Sequence, residues 1–391
     1  MIKLKSLRAV LFVALLGQIL GCKEAFDPSL ETPTINFLVV EGFINTKGVT
    51  IIQLTRTQKL AEASTIKNEL KATVQIENDN NLVVGLTESG LGIYKSEALN
   101  LPSDRKYRLR IKTAAGKEYL SEFTLVKTTP KLTLTWDQSS DGVRIYASTA
   151  DPNNQTLFYK YDFEETWAQQ SIALSEYVAT VNPVNQNIGV SERNPPDQIS
   201  ALICWTSTLS NNILITSTKS LSSDVVDKLP VMFIPNGSEK LDRRYSILVK
   251  QYALTNEAYD FFAQMKKNTE LLGSVFDPLP STVRGNIKCV TDPSEPVVGN
   301  IVSASAEEQR IFITKQEAGN WVMSLACGIQ HITNSQANRN LFFRNDKFLI
   351  RNAEFDETTV PRPTIIGYYI TQPACLDCKK RGGNNIKPSY W

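Results

Sequence analysis

Tyr107-Arg108-Leu109-Arg110-Ile111-Lys112 alternates apolar and polar side chains without a break. Successive side chains of an extended chain point to opposite faces, so this run has one dry face and one wet one, a pattern that a helix would scramble. Runs of β-branched and apolar residues recur at Ile35 to Ile44, Val49 to Thr55, Ala72 to Glu77, Leu82 to Thr87, Gly92 to Lys95 and Glu118 to Val126. Turn formers separate them: Asn45-Thr46-Lys47-Gly48, Asn78-Asp79-Asn80-Asn81, Ser89-Gly90, Pro102-Ser103-Asp104 and Ala115-Gly116. Each of these residue types favours the dihedrals that a chain reversal needs.

About seven short strands in about 95 residues, with no helical period among them, predict a mainly β chain that opens with an immunoglobulin-like β-sandwich over residues 35–128. This stretch contains no Cys, so it lacks the inter-sheet bridge of antibody domains. Thr128-Thr129-Pro130 closes it, and residues 131–391 read as a larger β-rich domain. Its strand-like runs begin with Leu132 to Trp136 and Val143 to Ala147 around Asp141-Gly142, a strong two-residue hairpin signal. Further runs lie at Leu157 to Trp167, Ile199 to Trp205, Asn212 to Thr216, Val231 to Ile234, Tyr245 to Leu254, Val283 to Val290, Asn300 to Ser305 and Arg310 to Thr314. Ser171 to Asp197, polar and carrying Pro183 and Pro195-Pro196, reads as a surface loop.

One helix stands among these strands. Ala258, Phe261, Phe262, Met265 and Leu272 share a face over Asn256 to Leu272, with Thr255 to cap the start and Gly273 to end it. Such a helix covers the second sheet, and its Phe-Phe-Met stripe reads as core.

The N-terminus reads as a targeting segment. Lys3, Lys5 and Arg8 precede an apolar run from Ala9 to Leu16, too short for a stable span, and Ile19-Leu20-Gly21-Cys22 follows. This ending resembles the lipobox of bacterial lipoproteins, with Ile19 where Leu is usual. The resemblance implies that residues 1–21 are a signal peptide and that Cys22 carries acyl chains. Several acyl chains on one residue anchor a protein stably, whereas one holds it only marginally. Residues 22–34, with Pro28 and Pro33, then form a lipidated tether. Lys23-Glu24 and Asp27 resemble the acidic export signals of surface lipoproteins in Bacteroidota, which implies an outer-membrane protein facing the cell surface. No other stretch reaches the ~20 apolar residues that a spanning helix needs.

Charge and histidine content narrow the chemistry. Without Lys3, Lys5 and Arg8 the 42 basic residues become 39, against 40 acidic ones, so there is no basic field for nucleic acid. His331 is the single histidine, which excludes catalytic triads and His-rich metal centres. Its neighbours Gly328 to Thr333 read as a strand. No cofactor or metal site is expected. Asp151-Pro152-Asn153-Asn154 reads as a turn before a calcium site. Glu164 and Glu165 in Leu157 to Trp167 are neighbours on a predicted strand, so they face opposite sides and cannot form a glycosidase pair with each other.

Beyond Cys22 lie Cys204, Cys289, Cys327, Cys375 and Cys378. In an exported chain these are disulfide candidates before they are metal ligands. Five allow at most two bridges with one thiol left over, and the connectivity is open. The preferred pattern has Cys375 and Cys378 each reaching upstream, because the Gly-rich, basic ending to Trp391 needs staples.

Several motifs together resemble a known family. They are Val40-Glu41-Gly42, Tyr161 to Trp167, Cys204-Trp205, Gly285 to Val290, Glu295 to Gly299, and Cys375 to Trp391 with Gly382-Gly383 and Pro388. The family is an uncharacterised group of Bacteroidota outer-membrane lipoproteins, typically encoded beside SusC-like TonB-dependent receptors. The resemblance covers nearly the whole chain after Cys22 and supplies no catalytic residues. It implies a non-enzymatic accessory or cargo-binding partner of such a receptor. The family's usual aromatic after Gly299 is Asn300 here. The alternatives are a surface glycan-binding protein using aromatics such as Trp167 or Trp205, and a carboxylate-based hydrolase.

Overall fold

A computed structural model describes residues 36–58, 66–270, 283–323 and 325–391. The chain is mainly β, and its strands form four sheets among the described residues. In the strand Lys106–Lys112 the apolar alternation becomes burial: Tyr107, Leu109 and Ile111 are inside and their neighbours are not.

The first sheet closes on itself. From Lys106–Lys112 the pairing runs through Thr73–Asn78, Val83–Gly90, Ile93–Ala98 and Val49–Arg56 to Leu38–Asn45. It continues through Ser303–Ala304 and Thr124–Lys127 back to Lys106–Lys112. The enclosed core includes Leu38, Ile52, Leu54, Tyr94, Tyr107 and Tyr119.

This ring corrects the predicted domain boundary. Residues 287–304 fall in sequence within the second unit, yet they complete the first. Ile287–Cys289 pairs with Glu118–Ser121, Val297–Val298 runs parallel to Leu38–Val39, and Ser303–Ala304 joins Ile44–Asn45 to Val126–Lys127. Ile287, Cys289, Val297 and Ile301 sit in the first core. Short apolar runs announce a strand without announcing its partner, and parallel partners are reached only over long connections.

Glycine makes this return possible. A Cβ on Gly285 would lie 1.5 Å from the Gly299 carbonyl oxygen, and one on Gly299, where φ is +153°, would lie 2.5 Å from that of Val40. The Asn286 carboxamide then donates to the Ile301 carbonyl and accepts from its N–H, each at 2.8 Å. The Val-Glu-Gly, Gly-Asn-Ile-Lys-Cys and Val-Val-Gly motifs thus meet where two backbones touch.

The second unit is a sheet pair. Thr133–Ser139, Gly142–Asp151 and Asp224–Pro235 form one layer. Ile203–Leu209, Phe158–Gln170, Arg244–Ala253 and Ala306–Thr314 form the other, with Leu214–Ser217 added beside Phe158–Gln170. Val143, Ile145, Tyr161, Phe163, Ile247 and Ile313 share the core between them. The helix Asn256–Glu270 begins on the predicted cap, with the Ala258 N–H donating to the Thr255 hydroxyl at 3.2 Å. Its Ala258 packs with Phe158 and Leu254 of this unit and with Val302 and Ala304 of the first.

Residues 171–197 are not the expected surface loop. Tyr177–Val181 and Ile188–Glu192 form a hairpin in a further sheet with Leu349–Asp356, Thr364–Thr371 and Gln330–Thr333. Ile188, Ile332, Phe343, Ile350 and Ile370 form its own core. Five-residue strands flanked by Asn and Pro carry too few apolar positions for period-two reading. No helix among the described residues is long and apolar enough to cross a membrane.

Candidate binding cleft

The strand Leu38–Asn45 has parallel neighbours at its two ends, Val297–Val298 and Ser303–Ala304. Between them the backbone turns away at Gly299, and a cavity of about 390 Å³ opens against Val40 to Phe43. The facing wall is the second unit, where Lys160 and Tyr252 are paired across neighbouring strands. The helix supplies a third side with Phe261, Phe262 and Met265. Phe261 is buried, but Phe262 and Met265 are only half-buried, so the stripe read as core borders a cleft.

Aromatic rings and a neutralised charge define the interior. The Phe43 and Tyr252 rings meet at 4.2 Å between centroids across the junction. The Lys160 ammonium lies 5.5 Å from the Tyr252 ring centroid and 5.4 Å from that of Phe262, and it is ion-paired with Asp162. Burial, followed by the Asp162 charge, pushes the Tyr252 hydroxyl well above the usual tyrosine range, so it stays neutral. Asn300 borders the cavity at 8% exposure, and its carboxamide makes no hydrogen bond among the described residues. The lining contains no His and no Cys. Concave, mostly apolar sites with a few fixed polar groups are suited to holding small molecules.

Cys22, the predicted lipidation site, lies outside the described residues, as do the signal peptide and the tether. Cys204 is bridged to Cys378 and Cys327 to Cys375. Cys289 remains a free thiol, buried in the first core. The bridges hold the tail on the second unit, where Trp205 and Asn384 pair by backbone and the Trp391 ring lies 6.0 Å from that of Phe312.

The acid pair separates as the pleat requires. Glu165 is buried and takes hydrogen bonds from Lys240 at 2.7 and 2.8 Å and from the Tyr245 hydroxyl at 2.8 Å. Glu164 faces the other side, toward Arg310 and the Tyr390 hydroxyl. Asp151 closes its own turn, accepting from the N–H groups of Asn153, Gln155 and Thr156 and from the Thr156 hydroxyl. Burial opposes its ionisation, yet these bonds bring its pKa below the ordinary value. His331 sits on a strand with Nε2 2.7 Å from Glu354. No His, Cys, Asp and Glu group among the described residues is arranged to hold a metal ion. Sequence reasoning missed Lys160, Asp162 and Tyr252, because nothing local marks two strands of one unit as the wall of another.

A β-rich chain with an apolar cleft between two packed units is the class that this geometry defines. Residues 23–310 match the model of a domain of unknown function (DUF4249), and the chain belongs to that family. Every residue bordering the cleft falls within that stretch, whereas the docked tail and Cys327, Cys375 and Cys378 lie beyond it. No curated protein matches the sequence. Among solved structures, a chitinase, ChiA74 from Bacillus thuringiensis, aligns at 13% identity and a TM-score of 0.16. That alignment covers 48% of this chain and 30% of the chitinase. A structure of manganese lipoxygenase of Gaeumannomyces graminis with partial zonadhesin of Komagataella pastoris aligns at 9% identity and a TM-score of 0.14, covering 57% and 90%. Likenesses this slight carry no argument about fold or activity.

Proposed function

We propose that this protein is a non-catalytic lipoprotein of the outer membrane, tethered through acylated Cys22 and facing the cell surface. Its task is to bind, as an accessory or cargo-binding partner of a SusC-like TonB-dependent transporter. The observation that carries the binding role is the cleft: apolar, ringed by family-matched residues, with its one lysine neutralised by Asp162. The leader ending in Leu20-Gly21-Cys22 supports the tether. We read the first unit as a distant variant of the immunoglobulin-like sandwich, a reading supported by its antiparallel strand pairs, although its 12 strands pair in one sheet that rings the core.

Two measurements test this reading. Labelling with a palmitate analogue is expected to mark the wild type and to vanish in Cys22→Ser, which then leaves the membrane fraction. Pull-down of the tagged chain after mild detergent extraction is expected to recover a β-barrel receptor, and recovery of none removes the transporter claim.

One observation favours glycan binding as a second reading. Trp205 and Trp391, both half-buried, border an open groove with Arg243, Arg244, Lys315 and Lys387, and aromatic faces that reach a groove can stack on sugar rings. A glycan array separates this from the first reading. The hydrolase alternative lacks comparable support, since Glu164 and Glu165 serve opposite faces.

A further inference from the structure

Taking the cleft as the binding site proposed above, we propose that its ligand is a small, uncharged, predominantly apolar molecule carrying an amide, and that Asn300 recognises that amide. Three features set the chemistry. Phe43, Leu254, Phe261, Phe262, Met265 and Val302 make most of the lining hydrocarbon or aromatic. The lining offers no free positive charge: Lys160 is held by Asp162 and lies over two rings, so an anionic ligand group would lose its water and find no counter-charge among the described lining residues, while the remaining lining acid, Glu41, is exposed and keeps its own water. Asn300 then stands out. It is more than nine-tenths buried, it borders the cavity, and neither end of its carboxamide is satisfied within the described chain.

Buried polar groups are nearly always hydrogen-bonded, so an open one at a cavity wall calls for a partner from outside. A carboxamide offers an acceptor oxygen and donor N–H groups side by side, and another amide presents the complementary pair. The backbone beside Asn300 is fixed by the double hydrogen bond between Asn286 and Ile301, so this group is held ready before a ligand arrives. A volume of about 390 Å³ is near the lower end for small-molecule sites, which favours one ring or branched chain plus one amide. A free amide and an apolar stretch of peptide share this chemistry.

The test uses the full chain in lipid nanodiscs, titrated calorimetrically against empty-disc controls. The probes are N-acetyl-phenylalanine amide, N-acetyl-phenylalanine as its carboxylate, toluene, and a blocked apolar hexapeptide. The neutral amide is expected to bind at least about tenfold more tightly than the carboxylate. Asn300→Leu is expected to weaken the amide by roughly three- to tenfold, to leave toluene unchanged, and to melt no lower than wild type. Met265→Trp, which fills the cavity, is expected to abolish both. Tighter binding of the hexapeptide than of the free amide assigns the source to a peptide, and the reverse assigns it to a small molecule. If Asn300→Leu binds the amide as wild type does, or the carboxylate binds equally well, the ligand class is wrong while the cleft reading stands. If the wild type binds neither amide nor toluene, or Met265→Trp changes nothing, the cleft reading itself falls.

Discussion

The Tyr119 hydroxyl donates to Glu295 at 2.7 Å across 176 positions of sequence. Arg56 reaches the same carboxylate at 3.3 Å, and Lys117 pairs with it as well. Glu295 therefore ties the return segment to two strand residues of the first unit and to Lys117 just before a strand, and its side chain is only 6% exposed.

That hub predicts an acid response. Burial resists ionisation of Glu295, but Lys117, Tyr119 and Arg56 together hold its pKa below the ordinary carboxylate value of 4.5. A depressed folded-state pKa gives stability that is present above the unfolded-state value and lost as pH falls through the folded one. Denaturant midpoints measured from pH 7 to pH 3 are expected to drop below about pH 4.5 in the wild type. Glu295→Gln is expected to start lower and fall less steeply. Other depressed carboxylates, such as Glu77 and Asp151, keep its slope above zero. Parallel curves for the two proteins would remove Glu295 from the account.

Glu164 and Glu165 are adjacent in sequence and unequal in consequence. Glu165→Ala strands the Lys240 ammonium and the Tyr245 hydroxyl against a core and is expected to cost about 3–5 kcal/mol. Glu164→Ala loses a longer, partly buried pair with Arg310 and is expected to cost less, about 1 kcal/mol. Chemical denaturation of the two variants reads this directly. Equal losses would contradict the opposite-face geometry.

Gly285→Ala places a methyl carbon on the Gly299 carbonyl and is expected to cost at least about 2 kcal/mol. Gly85→Ala is the control. A Cβ there meets nothing within 4 Å, so its stability is expected to stay within about 0.5 kcal/mol of wild type. A tolerated Gly285→Ala would mean that the return segment sits elsewhere.

The two bridges close loops of different length, 174 positions for Cys204–Cys378 and 48 for Cys327–Cys375. Replacing either pair by alanine is expected to cost about 2–5 kcal/mol, and the longer loop about 1 kcal/mol more than the shorter. Melting curves with and without reductant check both figures. Reductant is expected to leave the double-pair variant unmoved.

How much of this was legible depended on whether information was local. Tyr107 to Lys112 states its own burial, because period two needs only neighbours. Thr255 announces its helix for the same reason, and the pleat alone separates Glu164 from Glu165. The partner of Ile287–Cys289 could not be read, since its apolar residues fit either sheet. Tyr177 to Glu192 escaped notice because each strand is too short to show a period. The cleft was hidden most completely. Phe43, Lys160, Tyr252 and Asn300 come from four distant stretches, and only the docking of two units turns them into one surface. Gly285 and Gly299 were visible as motif residues, but their reason, a backbone contact too close for any side chain, is a property of the folded pair.

The closing of the first ring by residues 297–304 bears on when this protein can fold. A ribosome makes Leu38–Asn45 and its antiparallel neighbour Val49–Arg56 long before it makes the two parallel partners of the other edge, and at synthesis rates of about 5–20 residues per second the delay is on the order of tens of seconds. During that interval the strand's far edge has no partner, and the second unit's strands are made inside the gap. The unit begun earliest among the described residues is thus completed only after most strands of the second unit exist, which leaves its assembly waiting on a stretch that lies in sequence within its neighbour.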